Sequence, residues 1–205
     1  MNTPPGNRGR GARAGRVGGM WKKLVLPAAV LALTAPAVPA TARPPLPDTT
    51  DGGFLREAVA AANRHRAQHG VRPLALDPAL TAYARKRAQE LSRGAPGRLS
   101  TEGADQRLGE DLFWSSAGGE RAPAAGAAQA VETWYAEARS YDWRKPGFSA
   151  ATGDFTQLVW KASDRLGAAR VSGTAGGRTE TYVVFAFAPP GNVDGAFREN
   201  VLPRR

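Results

Sequence analysis

The stretch Gly-Asp-Phe-Thr-Gln-Leu-Val-Trp, residues 153–160, opens with a glycine and then places apolar side chains at helical spacing. Phe155, Leu158 and Val159 occupy positions i, i+3 and i+4, which lie on one face of a helix. Trp160 follows directly and adds a large aromatic side chain to the same short segment. We therefore predict a short helix that begins at the glycine and packs into the core of the protein.

Two strand-like segments follow, at residues 166–172 and 179–188, and a glycine-rich turn separates them. The second segment is apolar on both faces, because successive side chains of a strand alternate in direction. Tyr182, Val184 and Ala186 point one way, and Val183, Phe185 and Phe187 point the other. A strand that is apolar on both faces must be covered on both faces, so helices are expected on both sides of an antiparallel sheet.

Three further helices are predicted upstream, and they supply that cover. The first runs from about residue 51 to 69, and Gly70 terminates it. Asp77 followed by Pro78 is typical of a helix start, with the aspartate as N-cap and the proline at the first helical position. An alanine-rich helix spans residues 124–141. The predicted fold class is α+β, a three-layer α-β-α sandwich with a central antiparallel sheet.

The N-terminal region has the layout of an export signal rather than of a folded domain. Lys22 and Lys23 precede a mostly apolar run at residues 24–38, and Ala-Thr-Ala at 40–42 fits a signal-peptidase site. We predict an N-terminal extension and signal peptide at 1–42, a proline-rich linker at 43–52 and one domain at 53–205. The apolar run is short for a bilayer span, so no transmembrane segment is expected after cleavage.

The overall charge of +10 is unevenly distributed. Six of the 28 basic residues precede residue 43, where there is no acidic residue, which leaves 22 basic against 18 acidic side chains and a net charge of +4. This value argues against a nucleic-acid binder, which needs a clustered basic surface. The chain has no cysteine, which excludes disulfides, thiolate metal sites and cysteine nucleophiles.

Several motifs together resemble those of the CAP superfamily, which comprises cysteine-rich secretory proteins, antigen 5 and plant pathogenesis-related 1 proteins. They occur in the family's order at residues 63–70, 109–112, 134–137, 153–160 and 190–192. The similarity covers about residues 53–203, and the C-terminal segment 197–203 resembles the Golgi-associated branch. The resemblance implies an α–β–α sandwich (the SCP domain) with a central cleft. The heavy use of Ala, Arg, Gly and Pro is associated with bacterial genes.

The family's cleft usually holds two histidines and two glutamates, and this chain departs from that pattern. The glutamates match Glu110 and Glu137, but Asp154 occupies one histidine position and the loop at 99–101 lacks the other histidine. Without imidazole ligands the site loses the nitrogen donors that suit zinc. The predicted metal-binding residues are therefore Glu110, Glu137 and Asp154. Such a carboxylate cluster favours calcium or magnesium over zinc, or holds no metal with one carboxyl kept protonated.

Each of these acids also has a purely structural interpretation. Asp154 can cap the predicted helix at 153–160, and we favour that role over a metal role. Glu110 can cap a backbone turn, and Glu137 can bind a backbone N–H or an arginine. His65 and His69, the only histidines, have the i, i+4 spacing of a helical metal site, but they lie on an apolar stripe. We interpret them as core or helix-end histidines.

No catalytic residue is assigned from the sequence, because it contains no Gly-x-Ser-x-Gly elbow and no convincing phosphate-binding loop. The resemblance implies binding of lipid, sterol or cell-envelope material. We predict a secreted, non-enzymatic protein that binds a lipid or cell-envelope ligand through its cleft or surface. The alternative is a hydrolase that acts on envelope glycan or peptide through the surviving cleft carboxylates. A third interpretation is a structural interaction domain at the cell surface, and the oligomeric state is left open.

Overall fold

A computed structural model of the protein describes residues 43–205, so the predicted signal peptide at 1–42 lies outside the described residues. The helices are α1 (Gly52–Gln68), α2 (Pro78–Ser92), α3 (Ala127–Ala136), α4 (Gly153–Leu158) and α5 (Phe197–Asn200). The strands are β1 (Ala75–Leu76), β2 (Gly109–Gly118), β3 (Arg165–Ala175) and β4 (Arg178–Ala188). A 3₁₀ turn at Glu137–Ser140 extends α3. Within residues 43–205, no helix has the length and apolarity needed to span a membrane.

The four strands form one sheet in the order β1-β3-β4-β2. Strands β3 and β4 make a long antiparallel hairpin, and β2 pairs antiparallel with the other edge of β4. The two-residue β1 adds a short parallel pairing to β3, so the sheet is antiparallel except at that edge. The predicted hairpin is therefore confirmed, with strands a few residues longer than expected.

Helices cover both faces of the sheet, as the apolar pattern of β4 requires. One core cluster joins α1 and α3 to the face of β4 that carries Val183, Phe185 and Phe187. A second cluster joins α2 to the face that carries Tyr182, Val184 and Ala186. The layered α-β-α architecture is thus confirmed, and its two cores follow directly from the alternation of side chains along one strand.

The helix ends follow the local signals in the sequence. Asp51 caps α1 by accepting a hydrogen bond from the backbone N–H of Phe54 at 2.7 Å, and Gly70 takes a φ of +64° just beyond the helix end. Asp77 caps α2 through the N–H groups of the first turn. The third helix is shorter than the predicted 124–141, because it begins after Gly126 and tightens into the 3₁₀ turn at its C-terminal end.

Strand β2 was not predicted from the sequence. It contributes a full edge of the sheet, with Glu110 opposite Ala186 and Phe113 opposite Val183. Two adjacent acidic residues, Glu110 and Asp111, interrupt the apolar alternation that identifies a strand. Pairing with the strongly apolar β4 overrides this weak local signal.

Residues 43–52, expected as a linker, pack against the folded domain. The guanidinium of Arg43 binds the carboxylate of Glu180 at 2.7 Å, and the side chain of Leu46 is buried in the core beside α2. Asp48 forms an isolated antiparallel bridge with Val171 of β3. The folded part of the chain therefore begins about ten residues before the predicted domain start at residue 53.

A buried arginine fixes the end of α4. The guanidinium of Arg66 on α1 is inaccessible to solvent and donates to the carbonyls of Leu158, Trp160 and Ser163 at 2.7–3.0 Å. These carbonyls lie at and just beyond the end of α4, where helical partners are lacking. Arg66 therefore anchors the helix that carries the segment 153–160.

Candidate functional site

The N-terminus of α4 is capped by a side chain from another element. Oε2 of Glu137, at the start of the 3₁₀ turn, accepts hydrogen bonds from the backbone N–H groups of Asp154 and Phe155, both at 3.1 Å. Thr152 is the N-cap residue, but its side chain makes no capping hydrogen bond to the first turn of α4. The expectation that Asp154 caps α4 is wrong, because Asp154 lies inside the first turn and Glu137 supplies the acceptor.

The carboxyl group of Asp154 lies in an environment that opposes its ionisation. Burial raises the pKa of Asp154 from its ordinary value to about 7, and the negative charge of Glu137 contributes to the rise. Burial also raises the pKa of Glu137, although its two backbone N–H donors partly offset that increase. The two acids therefore form a pair in which one carboxyl holds its proton near neutral pH.

A third acid, Asp111 of β2, was not recognised from the sequence. Its side chain is completely buried, and within residues 43–205 neither carboxylate oxygen has a hydrogen-bond partner. Burial raises its pKa well above the ordinary value, and the charges of Asp154, Glu137 and Glu110 raise it further. Recognition of β2 as a strand would have revealed Asp111, since adjacent strand residues point to opposite faces of the sheet.

Glu110 lies on the opposite face of β2 from Asp111 and contacts α2. Its carboxylate accepts a hydrogen bond from the hydroxyl of Tyr83 at 2.6 Å and from Nε of Arg87 at 2.9 Å. The side chains of Arg87 and Glu110 are only 4% and 5% exposed. Glu110 therefore forms a buried ion pair beneath α2, and burial together with Glu110 raises the pKa of Tyr83 to about 12.

The three predicted metal-binding residues are thus divided between two faces of the sheet. Glu137 and Asp154 meet at the start of α4, whereas Glu110 is bound to Arg87. Among residues 43–205, no group of three or more histidine, aspartate or glutamate side chains is arranged to hold a metal ion. The carboxylates at α4 offer no nitrogen ligand, so they do not fit zinc. Metal binding by these acids stays a prediction.

His65 lies on α1 and His69 is the residue that follows its last turn, and both pack against Tyr135 of α3. The ring of His65 stacks on Tyr135 with centroids 3.8 Å apart, and its Nε2 lies 2.9 Å from Oε1 of Glu132. His69 is buried, its Nδ1 faces the carbonyl of Leu202, and its Nε2 lies 2.9 Å from the Tyr135 hydroxyl. This arrangement places the histidines in a packed α1–α3 interface, as core residues rather than as a metal pair.

A pocket of about 650 Å³ opens beside this interface, between α1, α3 with its 3₁₀ turn, and the C-terminal segment. Its walls include the aromatic rings of Tyr135 and Trp143 and the apolar side chain of Pro203. Trp143 is 39% exposed. Arg139, Arg204 and Glu132 supply the charged groups of the lining. The volume lies within the range of small-molecule binding sites, which are mainly apolar with a few polar groups.

Phe155 connects the pocket with the acid pair. Its ring lies 6.1 Å from Trp143 and 5.8 Å from Tyr135, between centroids, while its backbone N–H is bound by Glu137. The first turn of α4 therefore contacts both features. The sequence stretch 153–160 contributes Asp154 to the acid pair, and its buried Phe155 packs behind the two aromatic rings that line the pocket.

Comparison with known sequences identifies clear relatives. Residues 59–187 match the family model described as "Cysteine-rich secretory protein family". The human "Golgi-associated plant pathogenesis-related protein 1" is 34% identical over 73% of this chain and 93% of its own length. "Pathogenesis-related protein 1" of Arabidopsis thaliana is 34% identical over 67% of this chain and 77% of its own length. "Secreted protein RBT4" of Candida albicans is 35% identical, but the match spans only 37% of that protein.

Comparison with solved structures supports the same architecture. The structure described as "Crystal structure of NaASP2 with Zn2+" superposes with a TM-score of 0.55 at 17% identity, covering 78% of this chain and 90% of that one. "Crystal Structure of MpPR-1i" superposes with a TM-score of 0.52 at 16% identity, covering 73% and 96%. At such low identity these similarities establish the fold alone.

Proposed function

Because this chain belongs to the CAP family of cysteine-rich secretory proteins, we propose that it is a secreted protein that binds a lipid or another amphiphilic cell-envelope ligand without turning it over. The observation that carries the proposal is the pocket walled by Tyr135 and Trp143. Large aromatic side chains at a concave surface contribute most binding free energy when they contact apolar ligand surface. Secretion is supported by the predicted signal peptide and by a relative named as a secreted protein.

The exposure of Trp143 supports a binding role for the pocket. The indole is packed edge-to-face against Tyr141 at 4.8 Å between centroids, yet 39% of the residue remains exposed. A tryptophan held in place by neighbouring rings loses little conformational freedom when a ligand covers it. The side chain is therefore prearranged to contact an apolar ligand.

The acids at α4 support a non-enzymatic role. Asp111 is inaccessible to solvent, and Oε2 of Glu137 already accepts two backbone hydrogen bonds. Acid–base catalysis requires groups that reach the substrate. Asp111 is therefore out of reach of a substrate, and the half-buried Glu137 is engaged through one of its two carboxylate oxygens in capping α4.

Binding is tested with the full chain and two single variants. We expect native mass spectrometry of protein exported by its own host to detect a co-purifying amphiphile, and Trp143→Ala to lose most of it. Phe148→Ala is the matched control, because Phe148 is 59% exposed but is not part of the pocket lining. Equal ligand retention by the two variants, or no bound amphiphile on the unaltered protein, would contradict the proposal.

One observation favours hydrolysis of envelope glycan or peptide as a second candidate function. The pKa of Asp154 is raised to about 7 beside Glu137, and an acid that keeps its proton near neutral pH can protonate a leaving group. The test is turnover of purified cell-wall fragments by the full chain. The binding proposal predicts no turnover. It also predicts that Glu137→Gln affects the free energy of unfolding rather than any rate of hydrolysis. Hydrolysis that Asp154→Asn abolishes while the fold is retained would establish the second candidate.

A further inference from the structure

The free edge of the sheet at β1 is covered at one residue and open two residues later. In a parallel strand pair, alternate residues direct their backbone N–H and C=O groups away from the partner strand. Both groups of Leu74, just before β1, are bound by the side-chain amide of Asn63 on α1, at 2.7 and 3.0 Å. The corresponding groups of Leu76 have no partner within residues 43–205. An unpaired strand edge of this kind can accept a further strand.

An apolar groove runs along this open edge. It has a volume of about 480 Å³ and lies between β1 and the N-terminal half of α1. Leu55, Val59 and Leu76 supply its apolar side chains, and Leu76 is 41% exposed. Gly52 and Ala60 keep the groove open because neither carries a large side chain. Free backbone groups beside apolar surface suit an extended peptide, which is held by backbone hydrogen bonds and by contacts to alternate side chains.

One end of the groove carries a positive charge that is available to a partner. Arg56 is exposed and is the charged residue of the lining, and its Nη1 lies beside Gly52, 3.3 Å from the position that a Cβ there would occupy. In the part of the chain that the structure describes, its guanidinium takes part in no salt bridge or side-chain hydrogen bond. The carboxylate of nearby Asp51 caps α1 instead. The groove is therefore complementary to a peptide that carries an acidic side chain next to apolar ones.

We propose that this groove binds an extended peptide segment of a partner protein, which adds a short strand to the sheet at Leu76. Alternate apolar side chains of the peptide contact Leu55 and Val59, and an acidic side chain binds Arg56. The aromatic pocket opens beside the other end of α1, where His69 lies. The two sites are separate, so this inference goes beyond the proposed ligand binding and does not depend on it.

The probe is a random heptapeptide library displayed on phage and selected against the full chain. We expect the enriched sequences to alternate apolar and polar residues and to include an acid. Each enriched peptide is synthesised, together with a scrambled peptide of the same composition, and titrated against the protein by fluorescence polarisation. We expect the amide of Leu76 to exchange its hydrogen at least about tenfold more slowly with saturating peptide, because its N–H gains a partner.

The first pair of variants blocks the groove. Ala60 is exposed, and Ala60→Glu places a longer side chain in the groove and a carboxylate four residues after Arg56, where it offsets the guanidinium charge. We expect peptide binding to weaken at least about tenfold. Ala67→Glu makes the same change at an exposed position of α1 outside the groove lining, and it should alter binding less than about twofold. Equal binding by the two variants would overturn the assignment.

The second pair of variants isolates the charge. Arg56→Gln should weaken the binding of acidic peptides by about threefold, which is the range of an exposed ion pair. Arg64→Gln removes the same charge from an exposed residue of α1 outside the groove, and it should leave binding unchanged. The same weakening in both variants would mean that overall charge, rather than Arg56, attracts the peptide.

The remaining outcomes separate this inference from the proposed function. No enrichment of alternating sequences, or equal binding of the scrambled peptides, refutes the peptide site and leaves ligand binding at the aromatic pocket untouched. Peptides that Ala60→Glu retains but Trp143→Ala releases occupy the aromatic pocket, which also refutes the groove. A dimer in sedimentation experiments that Ala60→Glu converts to a monomer would show that a second copy of the chain covers this surface instead of a peptide.

Discussion

Glu137 binds the backbone of Asp154 and at the same time opposes the ionisation of its side chain. Oε2 of Glu137 accepts the N–H of Asp154 at 3.1 Å, and the same negative charge contributes to the raised pKa of the Asp154 carboxyl. A carboxylate at a helix N-terminus is favourable because the unpaired N–H groups carry partial positive charge. A second carboxyl in the first turn must then remain protonated or repel the first.

Removal of the cap should weaken the fold. We expect Glu137→Ala to lower the free energy of unfolding by about 1 kcal/mol, because two backbone N–H groups at the start of α4 lose their acceptor. The measurement is urea unfolding at pH 5. Glu102→Ala serves as the control, since Glu102 is exposed and should change stability by only a few tenths of a kcal/mol. Equal effects of the two substitutions would show that the cap contributes nothing.

The Asp154 pair should also make stability depend on pH. The pKa of Asp154 is raised to about 7 in the folded protein, so the unfolded chain releases this proton at lower pH than the folded chain does. The contribution of the protonated Asp154 carboxyl to the free energy of unfolding is fully present below about pH 4. It is lost as the pH rises towards 7, at up to about 1.4 kcal/mol per pH unit. Asp154→Asn should make the slope between pH 5 and 7 smaller in urea unfolding experiments without abolishing it, because the pKa values of Asp111 and Glu137 are also raised.

A second variant tests the origin of that slope. Glu137→Gln removes the neighbouring charge and should therefore lower the pKa of Asp154 in the folded protein. The decrease in the free energy of unfolding with rising pH should then end at a lower pH than in the unaltered protein. The slope between pH 5 and 7 should therefore become smaller without disappearing, because burial also raises the pKa of Asp154. An unchanged pH profile in this variant would exclude Glu137 as a cause.

The buried ion pair beneath α2 predicts different effects on stability for substitutions at the neighbouring residues Arg87 and Lys86. Arg87→Met leaves the buried Glu110 carboxylate without its cation and should destabilise the protein by about 3–5 kcal/mol. Lys86 is 78% exposed and contacts Glu90 at 3.8 Å, so Lys86→Met should cost less than about 1 kcal/mol. Thermal unfolding of both variants checks this prediction. Comparable losses would contradict a structural role for the Arg87–Glu110 pair.

Zinc should not stabilise the protein. The acids at the start of α4 provide no imidazole ligand, and both histidines of the chain pack against Tyr135 of α3. We expect the melting temperature to change by less than about one degree in micromolar zinc, because a ligand stabilises a protein only where it binds the folded state. A rise of several degrees that Asp154→Asn removes would place zinc at the acid pair and contradict the prediction.

The sequence determined the parts of this protein that depend on local pattern. Capping by Asp77, the helix beginning at Gly153 and the two-faced strand β4 follow from spacing and side-chain type, and together they favour a layered sandwich. The order of motifs also predicted the family that the comparisons establish. These features are local because neighbouring residues in the chain create them.

The composition of the site depended on the tertiary structure. Strand β2 forms against β4 despite its adjacent acids, and the alternation of side chains then directs Glu110 towards Arg87 and Asp111 into the opposite core. Glu137 reaches α4 only because the 3₁₀ turn folds beside it. Residue types and spacing identified the acids, but their charges and partners depend on burial and on contacts between residues far apart in sequence. Those contacts exist only after the layers have packed.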